Sequence, residues 1–261
     1  NHEPASDRWA LNPGINLSYK PVLAWPFRLR AFYKSTYRMP SFNDLYYSAV
    51  GNRRLRPEQN RQFNLGWTLA LATPNQRTTL KASLDGYHNR ITDKIMALPT
   101  KNIFVWSMLN LGKVSITGLD VTTNVAHRFN EDWSLDVAWN HSYQRALDKT
   151  DSASPTYDNQ LAYAPRVYGS VRLGLSSPWA NLGWSNLWSG HRYVTGHNLA
   201  ENDLPGYSDQ GVSLEKVIGR PLFDLTVRAD VLNLLGTSYE VIRNFPMPGR
   251  SYRLTVKVAL R

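Results

Sequence analysis

The chain contains no cysteine, so no disulfide can cross-link it and no thiolate can act as a nucleophile or metal ligand. It also lacks any run close to the ~20 consecutive apolar residues that a membrane-spanning helix requires. Acidic residues are outnumbered by basic ones, 20 against 30. These absences exclude a disulfide scaffold, a thiol enzyme and a helical membrane protein.

Alternating hydrophobicity is the dominant pattern that the sequence does contain. Side chains alternate across a β-strand, so such a segment has one apolar and one polar face. The pattern is clearest at 251–261, where one parity holds Tyr252, Leu254, Val256, Val258 and Leu260 and the other holds Arg253, Lys257 and Arg261. Repetition of segments of about 10 residues is typical of a transmembrane β-barrel, with lipid on one face and a polar lumen on the other.

We predict an all-β fold of eleven strands joined alternately by short and long connections. The predicted strands are 13–22, 27–37, 61–72, 77–90, 112–128, 133–145, 166–176, 179–190, 207–218, 222–233 and 250–261. The long connections are 38–60, 91–111, 146–165, 191–206 and 234–249. Outer-membrane barrels have short periplasmic turns and longer extracellular loops, so the alternation predicts a transmembrane antiparallel barrel. At Gly118 the apolar parity slips, which predicts a bulge.

Aromatic residues are abundant, with 9 Trp, 14 Tyr and 8 Phe. Trp25, Trp133 and Trp179 each lie beside a short connection. Amphipathic rings prefer the headgroup level of a membrane, so the three together favour an aromatic girdle at one end of the strands.

The formal net charge is +10. Three interpretations fit it: a solvated surface, a basic lumen or loop set that faces an anionic ligand or phosphate-rich lipid, and a nucleic-acid surface. The basic residues alternate with apolar ones along strands and do not cluster on one helix or loop. This distribution disfavours nucleic acid as a partner.

Three stretches of the chain resemble TonB-dependent outer-membrane transporters. The first is 37–46 (YRMPSFNDLY) followed by 51–58 (GNRRLRPE). The second is 110–114 (NLGKV) followed by 118–120 (GLD), and the third is 233–239 (NLLGTSY) followed by 248–250 (PGR). Within the first stretch, Arg38 and Glu58 are predicted to form a charge pair at the base of a loop.

The resemblance implies a barrel of about 22 strands with a plugged lumen, of which this chain would form the C-terminal half. Residues 1–7 are then expected to be an extracellular loop remnant and 8–261 to be barrel strands, with the plug absent from this chain. An odd number of strands that begins outside the cell leaves two open edges. We therefore expect a second chain to carry the N-terminal barrel half and the plug, and the TonB energy-coupling complex to act through that chain.

The resemblance also implies import of a scarce, bulky nutrient by a multi-pass protein of the bacterial outer membrane. No histidine lies between Tyr37 and Pro57, which disfavours haem, and the stretch 94–108 is similar to corrinoid receptors. Cobalamin is therefore placed slightly ahead of ferric siderophore. The candidate ligand-binding residues in the loops are Arg38, Asn52, Arg54, Trp106, Met108, Tyr157 and Tyr193.

Several alternatives accompany this interpretation. A passive, anion-preferring porin would use the same basic residues for selectivity, whereas an enzyme is disfavoured because His141 and Ser142 are adjacent and point to opposite strand faces.

Asp148, Asp151 and Asp158 share one long connection and are candidate Ca²⁺ ligands, since calcium prefers oxygen, although acids in loops are usually only solvated. Expected partners are outer-membrane lipid and lipopolysaccharide, with a surface lipoprotein as a further candidate.

Overall fold

A computed structural model describes residues 11–100 and 105–260, so the predicted segment 1–7 and Arg261 lie outside the described residues. Fifteen strands are present in this part of the chain, and eleven of them form one antiparallel sheet. The strands of the sheet, in spatial order, are β1 (Gly14–Tyr19), β2 (Phe27–Arg38), β3 (Glu58–Ala72), β4 (Thr78–Pro99), β5 (Trp106–Arg128), β6 (Ser134–Asp148), β7 (Val167–Ser176), β8 (Asn181–Ser189), β11 (Tyr207–Gly219), β12 (Phe223–Leu232) and β15 (Ser251–Leu260). The four remaining strands form two small hairpins, β9 (Arg192–Tyr193) with β10 (Asp203–Leu204), and β13 (Glu240–Ile242) with β14 (Phe245–Pro246).

The structure confirms all eleven predicted strands and their antiparallel order. Each strand of the sheet pairs with its neighbours in the sheet order, so the two end strands, β1 and β15, each have a single partner within the described residues. One helix, α1 (Phe42–Tyr46), and one 3₁₀ turn (Ala200–Asn202) lie in the long connections. Nowhere in 11–100 or 105–260 is a helix long and apolar enough to cross a membrane.

The predicted long connection 91–111 is wrong, because most of it is strand. β4 and β5 pair from Thr92 opposite Lys113 up to Pro99 opposite Trp106, which makes a hairpin that projects beyond its neighbours. The base of the projection is packed: Ile91, Ile95 and Val114 are 4%, 5% and 2% exposed. Backbone pairing within a two-stranded hairpin does not require alternating apolar and polar side chains. The loss of alternation at 91–111 therefore did not mark the end of the strands.

The bulge predicted at Gly118 is also wrong. The register of β5 runs without a shift from Thr117 to Leu119 against both β4 and β6. A Cβ at Gly118 would lie 2.5 Å from the Tyr87 hydroxyl and 2.6 Å from the Tyr143 carbonyl oxygen. The glycine is required by this close approach. The apolar parity changes because Val114 and Ile116 lie on the opposite face of the sheet from Leu119 and pack there with Ile91, Ala146 and Leu161.

The register divides the sheet into two faces, which we call the outer and the inner face. The outer face is apolar along most of its height, and many of its side chains are exposed, including Leu65 (68%), Leu119 (49%) and Leu254 (70%). This is the face that the sequence analysis places against lipid. Trp133 and Trp179 meet edge to face at 5.5 Å beside two short connections, as expected for neighbours in an aromatic girdle.

The inner face is polar and carries charges of both signs. Arg30 is ion-paired with Asp85, and Asp230 accepts from Arg228 at 2.9 Å and from Arg253 at 3.2 Å. An open trough of about 720 Å³ runs along this face from β4 to β15. Because Arg30, Arg228 and Arg253 are paired with acids, the inner face is not a field of one sign, although the chain as a whole is basic.

The face assignment predicts unequal effects of arginine at two adjacent positions of β5. Val121 belongs to the outer face, and Thr122 belongs to the inner face between Ser83 and Asn140. Val121→Arg should cost about 2–4 kcal/mol of folding free energy, because arginine would face hydrocarbon. Thr122→Arg should cost far less.

The measurement is urea unfolding of the whole receptor in lipid vesicles, followed by the mobility shift of folded barrels on gels. Equal destabilisation by the two variants would contradict the assignment of the faces.

Candidate functional site

The long connections lie together at one end of the sheet, and the first of them, 39–57, is ordered by a helix cap. The Ser41 hydroxyl accepts from the Asp44 N–H at 3.2 Å, and Asp44 accepts in return from the Ser41 N–H at 2.9 Å. Burial opposes ionisation of Asp44, but the Ser41 N–H and hydroxyl and the Arg38 guanidinium outweigh it and lower the pKa of this carboxyl below 3.8. The cap is therefore complete at neutral pH and is lost only as the pH falls through that lowered value.

The predicted charge pair at the base of this connection is confirmed. Arg38 is the last residue of β2 and lies directly opposite Glu58, the first residue of β3, with 3.8 Å between Nη1 and Oε2. Arg38 also binds Asp44 at 2.8 Å. Glu58 is only 9% exposed, and its Oε2 accepts from the Ile95 N–H at 3.0 Å. Arg38 therefore stabilises the loop base, and Glu58 attaches that base to the projecting β4–β5 hairpin.

Asn52 holds the tip of the same connection against the hairpin. Its Nδ2 donates to the Met108 carbonyl at 2.9 Å, its Oδ1 accepts from the Arg54 N–H at 2.9 Å, and the Met108 N–H donates to the Val50 carbonyl at 2.7 Å. Asn52 and Met108, both predicted ligand residues, are thus brought into contact. The Arg54 side chain is exposed and makes no ion pair or hydrogen bond within the described chain.

A second clamp, which the sequence analysis missed, lies beside the first. The Asn110 Nδ2 donates to the carbonyls of Arg56 (2.9 Å) and Asp93 (2.7 Å), and its Oδ1 accepts from the Arg56 N–H at 2.8 Å. Arg56 and Asp93 also form an ion pair of 2.5 Å, and the hydrogen bond that the Arg56 guanidinium donates to the Asp93 carboxylate raises the pKa of Arg56. The asparagine of the 110–114 motif therefore joins two distant segments.

The connections 149–166 and 190–206 interlock through side-chain amides. The Gln160 N–H donates to the Asn198 Oδ1 at 2.7 Å, and the Asn198 Nδ2 donates back to the Gln160 carbonyl at 3.0 Å. Asn159 reaches the Gly196 carbonyl at 3.0 Å. Gln160 is 2% exposed, so this amide network is the packed interior of the loop region.

Arg192 extends the network to the connection 233–250. It is 3% exposed, donates to the carbonyls of Pro205 (3.2 Å) and Glu240 (3.0 Å), and lies 5.1 Å from the centre of the Tyr207 ring. Burial lowers the pKa of the Arg192 guanidinium, with Tyr207 opposing that effect. Arg243 adds bonds to the carbonyls of Glu201 and Asp203, at 3.1 and 2.6 Å.

Aromatic rings connect the two parts of the site. Trp106 and Tyr163 lie 5.4 Å apart between ring centres, and the Tyr163 N–H donates to the Tyr193 carbonyl at 2.7 Å. Trp106, Met108 and Tyr193 were predicted as loop residues, but they lie on β5 and β9, because short hairpins form within these connections. Tyr157 lies apart from them, with Lys149 Nζ 4.8 Å from its ring centre.

The predicted calcium ligands do not converge. No group of three or more His, Cys, Asp or Glu side chains that could hold a metal ion is found among residues 11–100 and 105–260. Asp148 accepts from the Thr150 N–H (2.9 Å) and the Thr156 hydroxyl (3.1 Å), Asp151 accepts from the Ala153 N–H (2.9 Å), and Asp158 is ion-paired with Lys149. Each carboxylate is engaged in shaping its own turn.

Asn52 provides a direct test of how the first connection is held. Asn52→Ala removes two hydrogen bonds of about 1 kcal/mol each, so the tip at Arg53 and Arg54 should open more often. Trypsin cleavage at these arginines in the whole receptor should accelerate by about tenfold or more. The control is Asn75→Ala, in a short connection at the opposite end, and an unchanged cleavage rate in Asn52→Ala would contradict the proposed clamp.

The family model and the sequence relatives that match this chain indicate the same family. A family model described as "TonB dependent receptor-like, beta-barrel" matches residues 2–234. The vitamin B12 transporter BtuB of Photobacterium profundum is 23% identical over 223 residues, 84% of this chain and 33% of that protein. BtuB of Vibrio vulnificus is 28% identical over 102 residues, 37% of this chain and 16% of that protein. The chain thus spans a third or less of the length of these curated relatives.

Solved structures share the fold at low sequence identity. The copper transporter OprC matches 93% of this chain and 38% of its own, with a TM-score of 0.66 and 15% identity. The siderophore receptor PiuA from Acinetobacter baumannii matches 93% of this chain and 35% of its own, with a TM-score of 0.66 and 15% identity. Together with the family match over most of its length, this fold shows that the chain belongs to the TonB-dependent receptors, contributes strands to their β-barrel, and is thereby assigned to the outer membrane.

Proposed function

We propose that the chain is part of a TonB-dependent receptor that imports a scarce, bulky nutrient, with a corrinoid such as cobalamin ahead of a ferric siderophore. The observation that carries the proposal is the rigid loop region at one end of the sheet, where clamped segments present exposed side chains around Trp106 and Arg54. The relatives matched by sequence are named vitamin B12 transporters, which supports the corrinoid class. The siderophore and copper proteins share only the fold.

The chemistry of the loop region suits a large ligand rich in amide groups. Arg54 supplies an exposed guanidinium with several N–H donors. Trp106 supplies a half-buried aromatic surface already braced by Tyr163, so little ordering is required when a ligand binds. Asn52 and Met108 hold these groups in place, and Arg38 and Tyr193 act as supports rather than as direct contacts.

Completion of the barrel is part of the proposal. β1 and β15 each leave one row of backbone groups unpaired within the described residues, and such groups are costly in hydrocarbon. We propose that strands from outside these 261 residues, on a second polypeptide or another segment of the same one, pair with both edges. That polypeptide would also carry the plug, through which the TonB complex acts.

A passive, anion-preferring porin is supported less well. Such a pore needs an excess of basic residues along the lumen, whereas Arg30, Arg228 and Arg253 are ion-paired with Asp85, Asp230 and Glu215. Paired charges on the inner face suit contact with a folded plug better than selection of small anions.

The test is equilibrium binding of cyanocobalamin and of a panel of ferric siderophores to outer membranes that contain the whole receptor. We expect saturable binding of cyanocobalamin. Arginine and tryptophan are enriched among the minority of interface residues whose loss costs more than about 1 kcal/mol, so we expect Arg54→Ala and Trp106→Ala each to weaken binding by about fivefold or more.

The matched control is Arg220→Ala, an exposed arginine in the turn at the opposite end of the sheet. Its binding should equal that of the unmodified receptor. Binding of a ferric siderophore with no binding of cyanocobalamin would overturn the corrinoid assignment and leave the receptor class intact, whereas ligand-independent conductance of small anions would favour the porin.

A further inference from the structure

The outer face carries a group of basic side chains at the end nearest the long connections. We call it the basic outer cluster, and its members are Arg61, Arg90, Lys113, Arg145 and Lys149. The three strand pairs β3–β4, β4–β5 and β5–β6 bring it together: Arg61 lies opposite Arg90, Lys113 lies opposite Thr92, and Arg145 lies opposite Thr117. In sequence these cations are scattered, and only the register makes them neighbours.

The height of the cluster on the outer face is well defined. Directly below it, on the same parity, lie exposed apolar and aromatic side chains, namely Phe63 (48%), Leu65 (68%), Leu119 (49%) and Tyr143 (42%). Above it the outer face is polar, with Gln59 and Thr92. The cluster therefore marks the boundary at which the outer face passes from hydrocarbon to headgroups.

Four of the five cations of the cluster lack acidic partners among the described residues. Like charges on directly opposed strand residues repel each other, and Arg61 and Arg90 are such a pair. Across the described residues, Arg61, Arg90, Lys113 and Arg145 form no ion pair, and Asp158 reaches the cluster only through Lys149. The repulsion calls for an anion that is not part of this chain.

The cluster also borders a cavity that suits such an anion. A cavity of about 410 Å³ is lined by Arg61, Arg90, Lys113 and Lys149 together with four polar residues (Gln59, His88, Thr92 and Ser115) and two apolar ones (Ile91 and Val114). The Arg90 Nε donates to the His88 Nε2 at 3.1 Å, and the His88 Nδ1 lies 2.8 Å from the Thr117 hydroxyl oxygen. For both bonds to form, His88 must be neutral with its proton on Nδ1, so it fixes the guanidinium without adding charge.

We propose that the basic outer cluster is a binding site for the phosphate groups of a phosphorylated glycolipid in the outer leaflet. Guanidinium groups bind phosphate in a bidentate manner, and ammonium groups add point charge. The apolar band below would contact the acyl chains of the same molecule. This proposal depends on the outer-membrane location of the barrel and not on which nutrient the receptor imports. The phosphate site and the proposed import function can therefore fail separately.

The experiment uses the whole receptor after removal of co-purified lipid, and measures binding of bisphosphorylated lipid A in detergent solution. The test variant combines Arg61→Gln, Arg90→Gln and Lys113→Gln. Because each basic residue near an anionic lipid surface adds appreciable attraction, the variant should bind at least about tenfold more weakly. Lipid A without phosphates should bind the unmodified receptor as weakly as the variant binds the phosphorylated form.

The control combines Arg77→Gln, Arg128→Gln and Lys216→Gln, which removes the same charge from the opposite end of the sheet. It should bind like the unmodified receptor. A second pair, Arg90→Gln and Arg90→Lys, tests the site with a single change; lysine should retain most of the affinity and glutamine should not.

Equal binding by the two triple variants, or equal binding of lipid A with and without phosphates, would overturn the proposal. Inorganic phosphate that binds as tightly as the lipid would also overturn it, because the site would then be specific for the free anion.

Discussion

The pairing of backbone N–H and C=O groups is the constraint on which the rest of this structure depends. In hydrocarbon these groups have no water to bind, so a spanning strand must be paired along both of its edges. The antiparallel sheet meets this requirement for every strand except β1 and β15. It also fixes the faces, because a shift of one residue in register would move the whole apolar set of a strand to the other side. The unshifted register through Gly118 is therefore a condition for keeping Leu119 outside and Asp120 inside.

The register produces three surfaces with different chemistry. The outer face is apolar and ends in the basic outer cluster, in which four of the five cations have no acidic partner among the described residues. The inner face is polar, and three of its arginines (Arg30, Arg228 and Arg253) are ion-paired with Asp85 and Asp230. The end of the sheet is covered by connections that are fixed by buried polar residues, among them Glu58, Gln160 and Arg192. Each surface thus suits one neighbour: lipid and its phosphates, a plug, and a nutrient.

Local patterns predicted the sheet well and the loop region poorly. Alternation revealed all eleven strands, and the 37–58 motif revealed the Arg38–Glu58 pair, because these signals reside in neighbouring or register-linked residues. The clamps could not be predicted, since Asn110 and Arg56 are 54 positions apart and Gln160 and Asn198 are 38 apart, and no local pattern joins them. The proximity of Asp148, Asp151 and Asp158 in sequence was also misleading: Asp148 and Asp151 accept from nearby backbone N–H groups, and Asp158 is paired with Lys149. The basic outer cluster could not be predicted either, because its assembly requires the register of four strands.

The most direct test of this account is deuterium exchange, resolved to single amides, in the whole receptor in lipid nanodiscs. In an open sheet every second amide of an edge strand points away from its single partner and exchanges within seconds. If strands from outside this sequence complete the barrel, all the amides of β1 and β15 are protected from exchange as strongly as those in the membrane-spanning part of β5. An alternation of fast-exchanging and slow-exchanging amides along β15 would contradict the pairing of this edge with another strand.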